Sequence, residues 1–416
     1  MSGDGATDPG FAELRAQLKE WRDSVQRFLP PWWSRALAGA LIVIGILLPL
    51  LFTQQTGFFG QTSDFLNATV LSLAYAVMAL GLNIVVGFAG LLDLGYVAFY
   101  ALGAYTAGWL GSDFFFKANL HIFVSKFAGS LPGIHLNIIL VLIIAAAICA
   151  VAGMIIGLPT LRLRGDYIAI VTLAFGEIIG VVAVNGQDIH IGGGMSLTAG
   201  NFGISAIDPP WLPGVGSFSE LDLRPWYWLI FGILLFVLFC SLRLRDSRLG
   251  RAWIALREDE VAAVSMGIPS VRTKLSAYSI GAAFGGMSGA FIGAFHTVVS
   301  GSDFQFGFSV FILSMVIIGG LGSVWGAVVG GMVLGYINYY LIPDVFNSLP
   351  STFGLNFQLT TIEFGIYGFL LVLVMLLRPQ GLIPERRRKL ELTATIAATD
   401  TELAEPSAYE TTGLDE

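Results

Sequence analysis

"HLNIILVLIIAAAICAVAGMIIGL", residues 135–158, contains no aspartate, glutamate, lysine or arginine. An apolar stretch of about 20 residues is long enough to cross the hydrocarbon core of a bilayer as a helix. The whole chain has this texture, because 55% of its 416 residues are hydrophobic, only 12% are charged, and its mean hydropathy is +0.76. Soluble globular domains carry about twice that share of charge. The composition therefore excludes a water-soluble protein and predicts an all-α, polytopic bundle of membrane helices.

Further apolar runs on both sides of this stretch predict about ten membrane-spanning helices. The predicted spans are 35–53, 66–87, 91–111, 135–158, 167–186, 225–242, 274–297, 306–320, 321–342 and 360–378. The third, eighth and ninth are rich in glycine, and the eighth is short enough to be re-entrant. Ten spans divide into two halves of five helices, and an odd number per half makes the second half run inverted in the membrane.

The basic residues predict which side of the membrane each loop faces, because positively charged loops stay in the cytoplasm. With ten spans and both ends inside, 19 of the 22 lysines and arginines fall in cytoplasmic segments. Only Lys117, Lys126 and Arg224 are left outside. An odd number of spans would scatter these charges over both faces. We therefore expect a multi-pass plasma-membrane protein with both termini in the cytoplasm.

The two ends of the chain differ in composition from the predicted membrane domain, residues 35–383. Residues 1–34 place apolar side chains at helical spacing beside basic ones. That pattern suits either an amphipathic helix on the cytoplasmic membrane surface or a helix packed on the next loop. Residues 384–416 become polar and acidic after Lys389. We expect this cytoplasmic tail to be largely disordered.

Two glycine-rich stretches interrupt the apolar texture: "GFAGLLDLGYVAFYALGAY" (87–105) and "IGGLGSVWGAVVGGMVLG" (318–335). We call residues 87–95 the first glycine corner and residues 318–326 the second. Small residues let helix backbones approach closely, so tight packing is the simpler explanation. The alternative is that both stretches line a substrate path, as discontinuous helices do in transporters. The predicted topology puts both corners on the cytoplasmic side, so they are not symmetry mates of an inverted repeat.

Ionisable residues at membrane depth are few, and each costs about 2.5–3.5 kcal/mol at the bilayer centre on insertion scales. They are Asp93, Glu177 and Glu363. Glu177 is the deepest, and we expect it to face the bundle interior, where it either holds a helix break or lines a path. The candidate residues for a path or for helix packing are Gly90, Asp93, Gly95, Glu177, Gly319, Gly320, Gly322 and Gly326.

The loop 243–274 contains the charged stretch "GRAWIALREDEVAAVSMGIPSVRTK" (250–274) between two apolar runs. Asp246 and Ser247 are suitable caps for a first short helix. A second helix is predicted from about Glu258 to Met266, and it ends at Gly267. This helix is only about 13 Å long, too short to span a membrane. It presents an apolar edge and a small-residue face that can enter a groove on a soluble partner, although a loop covering the ends of the spans is an equal alternative. The edge comprises Val261, Val264 and Ile268, and the face comprises Ala262, Ala263 and Met266.

Four blocks carry a resemblance to a known family: "GLNIVVGFAGLLDLGYVAFYALGAY", "LRLRGDYIAIVTLAFGEII", "GRAWIALREDEVAAVSMGI" and "VIIGGLGSVWGAVVGG". In this order, over about residues 66–383, the chain resembles the LivM-type permease subunits of bacterial branched-chain amino acid ABC importers. The resemblance implies that a cytoplasmic helix couples this chain to separate ATPase subunits. It also implies that the outward block "NGQDIHIGGGMSLTAGNFGIS" (185–205) docks an extracytoplasmic binding protein.

In ABC permeases the coupling motif begins Glu-Ala-Ala and has a glycine six residues after the glutamate. Ala262, Ala263 and Gly267 keep this register, whereas Val261 occupies the glutamate position and Glu260 stands one residue earlier. The departure leaves open what Glu260 contacts. The coupling residues that the resemblance implies are Arg257, Glu258, Asp259, Glu260, Ala262, Ala263, Met266 and Gly267.

The chain has no Gly-x-x-x-x-Gly-Lys-Ser/Thr phosphate loop, so ATP hydrolysis is expected on another chain. We therefore expect no enzyme activity, cofactor or metal here, and we expect Cys149 and Cys240 to be buried packing residues. The resemblance implies a second related permease, two ATPase subunits, a substrate-binding protein and a small amino-acid cargo, with no role for nucleic acid. The alternatives are a permease for urea or short amides, an ion-coupled secondary transporter and a structural membrane scaffold.

Overall fold

The computed structural model describes residues 43, 45–49, 62–124, 128–161, 167–191, 195–212, 216–218, 222–346, 363–378 and 380–383. The chain divides into two units, 1–55 and 56–416, and the fold described here belongs to the second. The predicted amphipathic segment 1–34 and the acidic tail 384–416 lie outside the described residues. So does most of the first predicted span, of which residues 43 and 45–49 are helical. The domain boundaries stay predictions.

Helices make up most of the described chain, and the helices are separated by short loops. In chain order they are α1 (Thr62–Leu82), α2 (Val97–Leu110), α3 (Ile138–Thr160), α4 (Tyr167–Asn185), α5 (Arg224–Asp246), α6 (Arg248–Glu258), α7 (Glu260–Ser265), α8 (Ser270–His296), α9 (Phe306–Gly319), α10 (Val324–Tyr336) and α11 (Glu363–Leu377). Two π-helical segments, Asn83–Phe88 and Ile337–Phe346, extend α1 and α10. The prediction of a polytopic bundle of membrane helices is confirmed, but the all-α prediction is only approximate, because the described residues also form short strands.

Among the described residues, six helices are long and apolar enough to cross a membrane. They are Phe65–Phe88, Ile138–Thr160, Tyr167–Asp188, Arg224–Asp246, Ser270–His296 and Val324–Pro343. The predicted spans 91–111, 306–320 and 360–378 contain shorter apolar helices. Span 91–111 is shortened because the chain is irregular between Ala89 and Tyr96, and α9 ends at Gly319 because Gly320 adopts a φ of +120°.

Helix α1 lies at the centre of the bundle. Its sequence is apolar on all sides, which is typical of a helix surrounded by other helices. Accordingly α1 is almost entirely buried, and it packs against α5, α8 and α10. The more peripheral helices α3, α4 and α5 each keep one exposed apolar face. The packing core of the bundle therefore lies on α1 and α8, and α3, α4 and α5 lie at its surface.

The long helix α8 packs through glycine, a feature that the sequence analysis missed. Glycines on both helices let the backbones of α8 and α2 come into contact. A Cβ at Gly289 of α8 would overlap the carbonyl oxygen of Tyr100, and a Cβ at Gly103 of α2 would overlap that of Gly286. In the sequence, this packing is indicated by glycines that recur at every fourth residue of α8. These glycines are Gly281, Gly285, Gly289 and Gly293.

Short strands join the helices at the end of the bundle opposite α6 and α7. They are β1 (Gly111–Ser112), β2 (Leu120–Ile122), β3 (Ile134–Leu136), β4 (His190–Ile191), β5 (Met195–Ser196), β6 (Trp211–Leu212) and β7 (Gly216–Ser217). Strand β3 pairs antiparallel with β1 and parallel with β2, whereas β4–β5 and β6–β7 form antiparallel pairs. The predicted topology makes this the outward end.

Candidate functional site

Helix α6 is anchored firmly to the membrane bundle. The Ser247 side chain caps it by accepting a hydrogen bond from the Gly250 N–H at 3.2 Å, as the sequence predicts. Trp253 is completely buried, and its indole N–H donates to the Thr273 carbonyl oxygen at 2.8 Å. Since Thr273 lies in the first turn of α8, this bond fixes α6 to the start of a long membrane helix.

Helix α7 is shorter than the predicted helix from Glu258 to Met266. Glu258 closes α6, and the extended residue Asp259 caps α7 through its carboxylate, which accepts from the Ala262 N–H at 3.0 Å. The chain therefore turns between two helices instead of starting one at Glu258. At the other end, Gly267 has a φ of +88° and stops α7, as predicted.

The exposed side of α7 is apolar. Val261 is 77% exposed, Met266 85% and Val264 48%, and Ala262 is also exposed. Ala263 is only 5% exposed, so the prediction that it belongs to the outward small-residue face is wrong. Its side chain lies on the side of α7 that turns towards the bundle. We call Val261, Ala262, Val264 and Met266 the α7 face.

Glu260 contacts the start of α8. It stands one residue before the position at which the coupling motif of ABC permeases has its glutamate. Its carboxylate lies 2.7 Å from the Lys274 ammonium and accepts a hydrogen bond from the Ser270 hydroxyl at 2.5 Å. Half of the Glu260 side chain is exposed, whereas the Lys274 side chain is largely buried. Glu260 therefore holds α7 against α8.

We expect replacement of Glu260 by glutamine to loosen the attachment of α7 only slightly. A partly exposed ion pair contributes about 0.2–1 kcal/mol, which corresponds to at most about a fivefold change in the detached population of α7. Amide hydrogen exchange of α7 in the purified protein would measure this. If the pair only holds α7 in place, Glu260→Gln combined with Lys274→Met should be no worse than either single variant. A change above about tenfold for Glu260→Gln alone would show that the pair holds α7 more strongly than an exposed ion pair does.

Arg257, at the end of α6, contacts the first glycine corner. Its guanidinium donates a hydrogen bond to the Gly87 carbonyl oxygen. Its aliphatic stem lies against Gly90, where a Cβ would overlap the Arg257 side chain and where φ is +69°. Glycine is therefore required at position 90 for two reasons: the backbone has a positive φ, and Arg257 leaves no space for a side chain. The charged stretch 250–274 is therefore in direct contact with the first glycine corner.

The two glycine corners lie together at the same end of the bundle. The Asn83 side chain, at the π-helical end of α1, accepts from the Gly322 N–H at 2.9 Å and donates to the Ser323 carbonyl oxygen at 3.4 Å. A Cβ at Gly87 would lie 2.7 Å from the Gly322 nitrogen. The predicted placement of both corners on one side is consistent with this contact.

Close backbone packing accounts for the geometry of the second corner. A Cβ at Gly319 would overlap the carbonyl oxygen of Gly326, and Gly320 lies against residues near the end of the described chain. The Ile383 N–H donates to the Gly319 carbonyl oxygen at 2.9 Å. The simpler of the two explanations, tight packing, therefore applies to these glycines. Their part in a substrate path stays a prediction.

Asp93 and Glu177, two ionisable residues at membrane depth, lie in different environments. Asp93 is 2% exposed, and one of its carboxylate oxygens accepts from the Gly95 N–H at 2.9 Å, so it stabilises the first corner. Glu177 is exposed on α4, and the prediction that it faces the interior is wrong. The inward side of α4 approaches Gly95 so closely that only small residues such as Thr172 and Gly176 fit there. Glu363 is the first residue of α11.

The outward end holds a buried polar pair and an exposed aromatic residue. His135 is 1% exposed, and its ring hydrogen-bonds the carboxylate of Asp208. Burial raises the pKa of the Asp208 carboxyl, and the hydrogen bond from His135 opposes that rise. Phe202, in the predicted binding-protein loop, is 93% exposed.

The cysteines and potential metal ligands provide no further site in the described part of the chain. Cys149 is buried and Cys240 is partly exposed, so the packing prediction is confirmed only for Cys149. Both are free thiols, and the described residues contain no cluster of three or more histidine, cysteine, aspartate or glutamate side chains that could hold a metal ion.

Comparison with known proteins provides independent information on most of the chain. The profile of a family described as branched-chain amino acid transport system / permease component matches residues 65–377. The chain is 36% identical over 373 residues to the high-affinity branched-chain amino acid transport system permease protein LivM of Escherichia coli K12, covering 85% of this chain and 76% of that protein. It is 25% identical over 329 residues to the probable branched-chain amino acid transport permease LivM of Methanocaldococcus jannaschii, covering 75% of this chain and 91% of the relative.

A second type of permease from the same Escherichia coli strain is also similar to the chain. This protein is the high-affinity branched-chain amino acid transport system permease LivH, which is 26% identical over 329 residues. The alignment covers 76% of this chain and 93% of LivH. No solved structure matches the chain significantly.

Proposed function

The chain belongs to the family of branched-chain amino acid transport permeases, and from this premise we propose that it moves leucine, isoleucine or valine into a bacterial cell in an ATP-driven importer. It is the membrane permease component of such a system and is not itself an enzyme. ATP hydrolysis occurs on separate subunits that bind the α7 face. The observation that carries this proposal is the exposed apolar face of α7, held between the anchored helix α6 and the start of α8.

Movement of α7 reaches the membrane bundle through α6. Arg257 joins α6 to Gly87 in the first glycine corner, and Asn83 joins the adjoining turn of α1 to the second corner. Both corners contain closely packed backbones, which have little room to deform independently. A displacement of α7 by the ATPase subunits therefore shifts both corners together. This rocking opens the substrate path alternately to the two sides of the membrane.

The proposed assembly contains a second permease, two ATPase subunits and an extracytoplasmic binding protein. The second permease is supported by the similarity of this chain to both LivM and LivH of one Escherichia coli strain. The outward loop that carries Phe202 is the proposed docking site for the binding protein. An aromatic side chain that is 93% exposed outside the membrane suits a protein contact better than contact with water.

The proposed topology has ten spans in two halves of five, with both termini in the cytoplasm. The six membrane-length helices and three shorter apolar ones among the described residues fit nine of these spans. Arginine and lysine are concentrated in the loop that contains α6 and α7, which supports a cytoplasmic location for the α7 face. Residues 1–34 and 384–416 are proposed to flank the permease domain on that side.

Co-purification followed by reconstitution tests the proposed function. We expect this chain, expressed with its genomic neighbours and purified in mild detergent, to retain an ATPase and a second permease. Proteoliposomes containing the complex and its binding protein should take up labelled leucine only when ATP is supplied on the side of α7. Uptake that collapses with an ion gradient at constant ATP would instead assign the chain to secondary transport. Competition by urea but not by leucine would reassign its cargo.

A further inference from the structure

Helix α4 has two faces of different character. The inward face includes small, buried residues that pack against the first glycine corner, where Gly176 approaches Gly95. The outward face is exposed and mostly apolar, but it includes the carboxylate of Glu177 beside the small residue Ala174. The large apolar side chains on this outward face are Ile170, Ile178 and Val181, which are 61%, 53% and 57% exposed.

Glu177 lies at the middle of its membrane span. The span runs from Tyr167 to Asp188, so at 1.5 Å per residue Glu177 is roughly 15 Å from either end. A glutamate side chain is too short to reach water over that distance. No hydrogen bond or ion pair joins Glu177 to another residue within the described ranges. Contact with lipid would therefore leave a carboxyl group in hydrocarbon without compensation.

The other outward membrane faces do not share this feature. On α3, the exposed side chains include Ile143, Val151 and Ile155, and on α11 they include Phe369 and Leu376. All of these side chains are apolar, so both faces are compatible with lipid. Among the described membrane helices, the α4 face is thus distinguished by a carboxylate at the depth where lipid is least able to accommodate one.

We propose that the outward face of α4, centred on Glu177, packs against the second permease subunit, which presents a hydrogen-bond donor or a cation to the Glu177 carboxylate. This inference rests on the proposed function, which supplies a related permease as the partner. Ala174, one turn before Glu177, leaves space for the approach of a neighbouring helix. Ile178 and Val181 provide the apolar part of the contact. The subunit interface is thereby assigned to α4 rather than to α3.

Site-specific photo-crosslinking in the intact complex tests this assignment. A benzophenone amino acid replaces Ile178 in one variant and Ile155, on the apolar face of α3, in a matched control. We expect irradiation to join position 178 to the second permease, with a yield about tenfold above that of position 155, which should form adducts with lipid. Lipid adducts at both positions, in a complex that still contains the second permease, would overturn this inference alone. Absence of any second permease from the purified complex would overturn the proposed function as well.

Substitution of Glu177 provides a second test, because the expected result differs according to whether Glu177 contacts the second permease or lipid. If the carboxylate meets a donor on the second permease, Glu177→Leu leaves that donor unpaired and should reduce recovery of the second permease about tenfold. Glu177→Gln retains an acceptor oxygen and should preserve most of the recovery. If Glu177 faces lipid, Glu177→Leu removes a charge from hydrocarbon and should leave recovery unchanged or increase it, which would overturn the inference.

Discussion

Replacement of Met266 by aspartate is expected to abolish ATP-driven uptake while leaving the chain inserted in the membrane. Met266 is 85% exposed, so a charged side chain at this position disturbs no internal packing. In the proposed complex, this side chain lies in a groove on the ATPase, where an unpaired carboxylate would cost several kcal/mol. A penalty of about 3 kcal/mol reduces binding roughly 100-fold. Both the recovery of the ATPase with the purified permease and the uptake of labelled leucine should fall accordingly.

The matched control for Met266→Asp is Leu249→Asp on helix α6. Leu249 is also an exposed apolar residue of the loop 243–274, but it lies outside the α7 face. We expect this control to keep uptake within about threefold of the unmodified protein, because surface substitutions outside an interface usually cost little. Normal ATPase recovery and normal uptake for Met266→Asp would refute the coupling role of α7. Ala263→Asp is unsuitable as a test, since Ala263 is buried and its substitution would disturb folding.

The membrane architecture follows from the sequence because hydrocarbon imposes a strong local rule. Each run of about 20 apolar residues must become a helix to satisfy its backbone, whatever its neighbours are. This rule predicts α3, α4 and α5 to within a few residues. It fails at 91–111, where the chain is apolar yet irregular as far as Tyr96. The break contains Gly90, which has a φ of +69° and lies against Arg257, a residue far away in the sequence.

The candidate site is only partly predictable for a similar reason. Cap and stop residues are local signals, so Ser247 and Gly267 correctly mark the start of α6 and the end of α7. Which side of a helix faces inward depends on its packing partners. Ala262 and Ala263 are chemically identical, but α7 turns only Ala263 towards the bundle. Glu177 is likewise placed outward by the close approach of α4 to the first glycine corner, which periodicity in an apolar helix does not reveal.

Replacement of Arg257 by alanine is expected to uncouple ATP hydrolysis from transport. Arg257 does not belong to the α7 face, so the ATPase should still bind and hydrolyse ATP. The variant loses the hydrogen bond to Gly87 and the stem that fills the space beside Gly90, which together connect α6 to the first glycine corner. A charge-assisted hydrogen bond contributes about 1.5–3 kcal/mol, so uptake per ATP hydrolysed should fall at least about tenfold.

The variants Arg257→Lys and Arg251→Ala separate this effect from a general loss of positive charge. Arg251 is exposed and donates to the Asp246 carbonyl oxygen at 2.9 Å, so its removal should leave uptake per ATP within about twofold. Lysine at 257 keeps the stem and one donor, and intermediate coupling is expected because the planar guanidinium is not replaced. Loss of ATPase binding by Arg257→Ala would show that Arg257 contributes to binding of the ATPase instead of transmitting the movement of α7 to the bundle. Unchanged coupling would show that α7 acts on the bundle by another route. The candidates are the bond between Trp253 and α8 and the contact of Glu260 with Lys274.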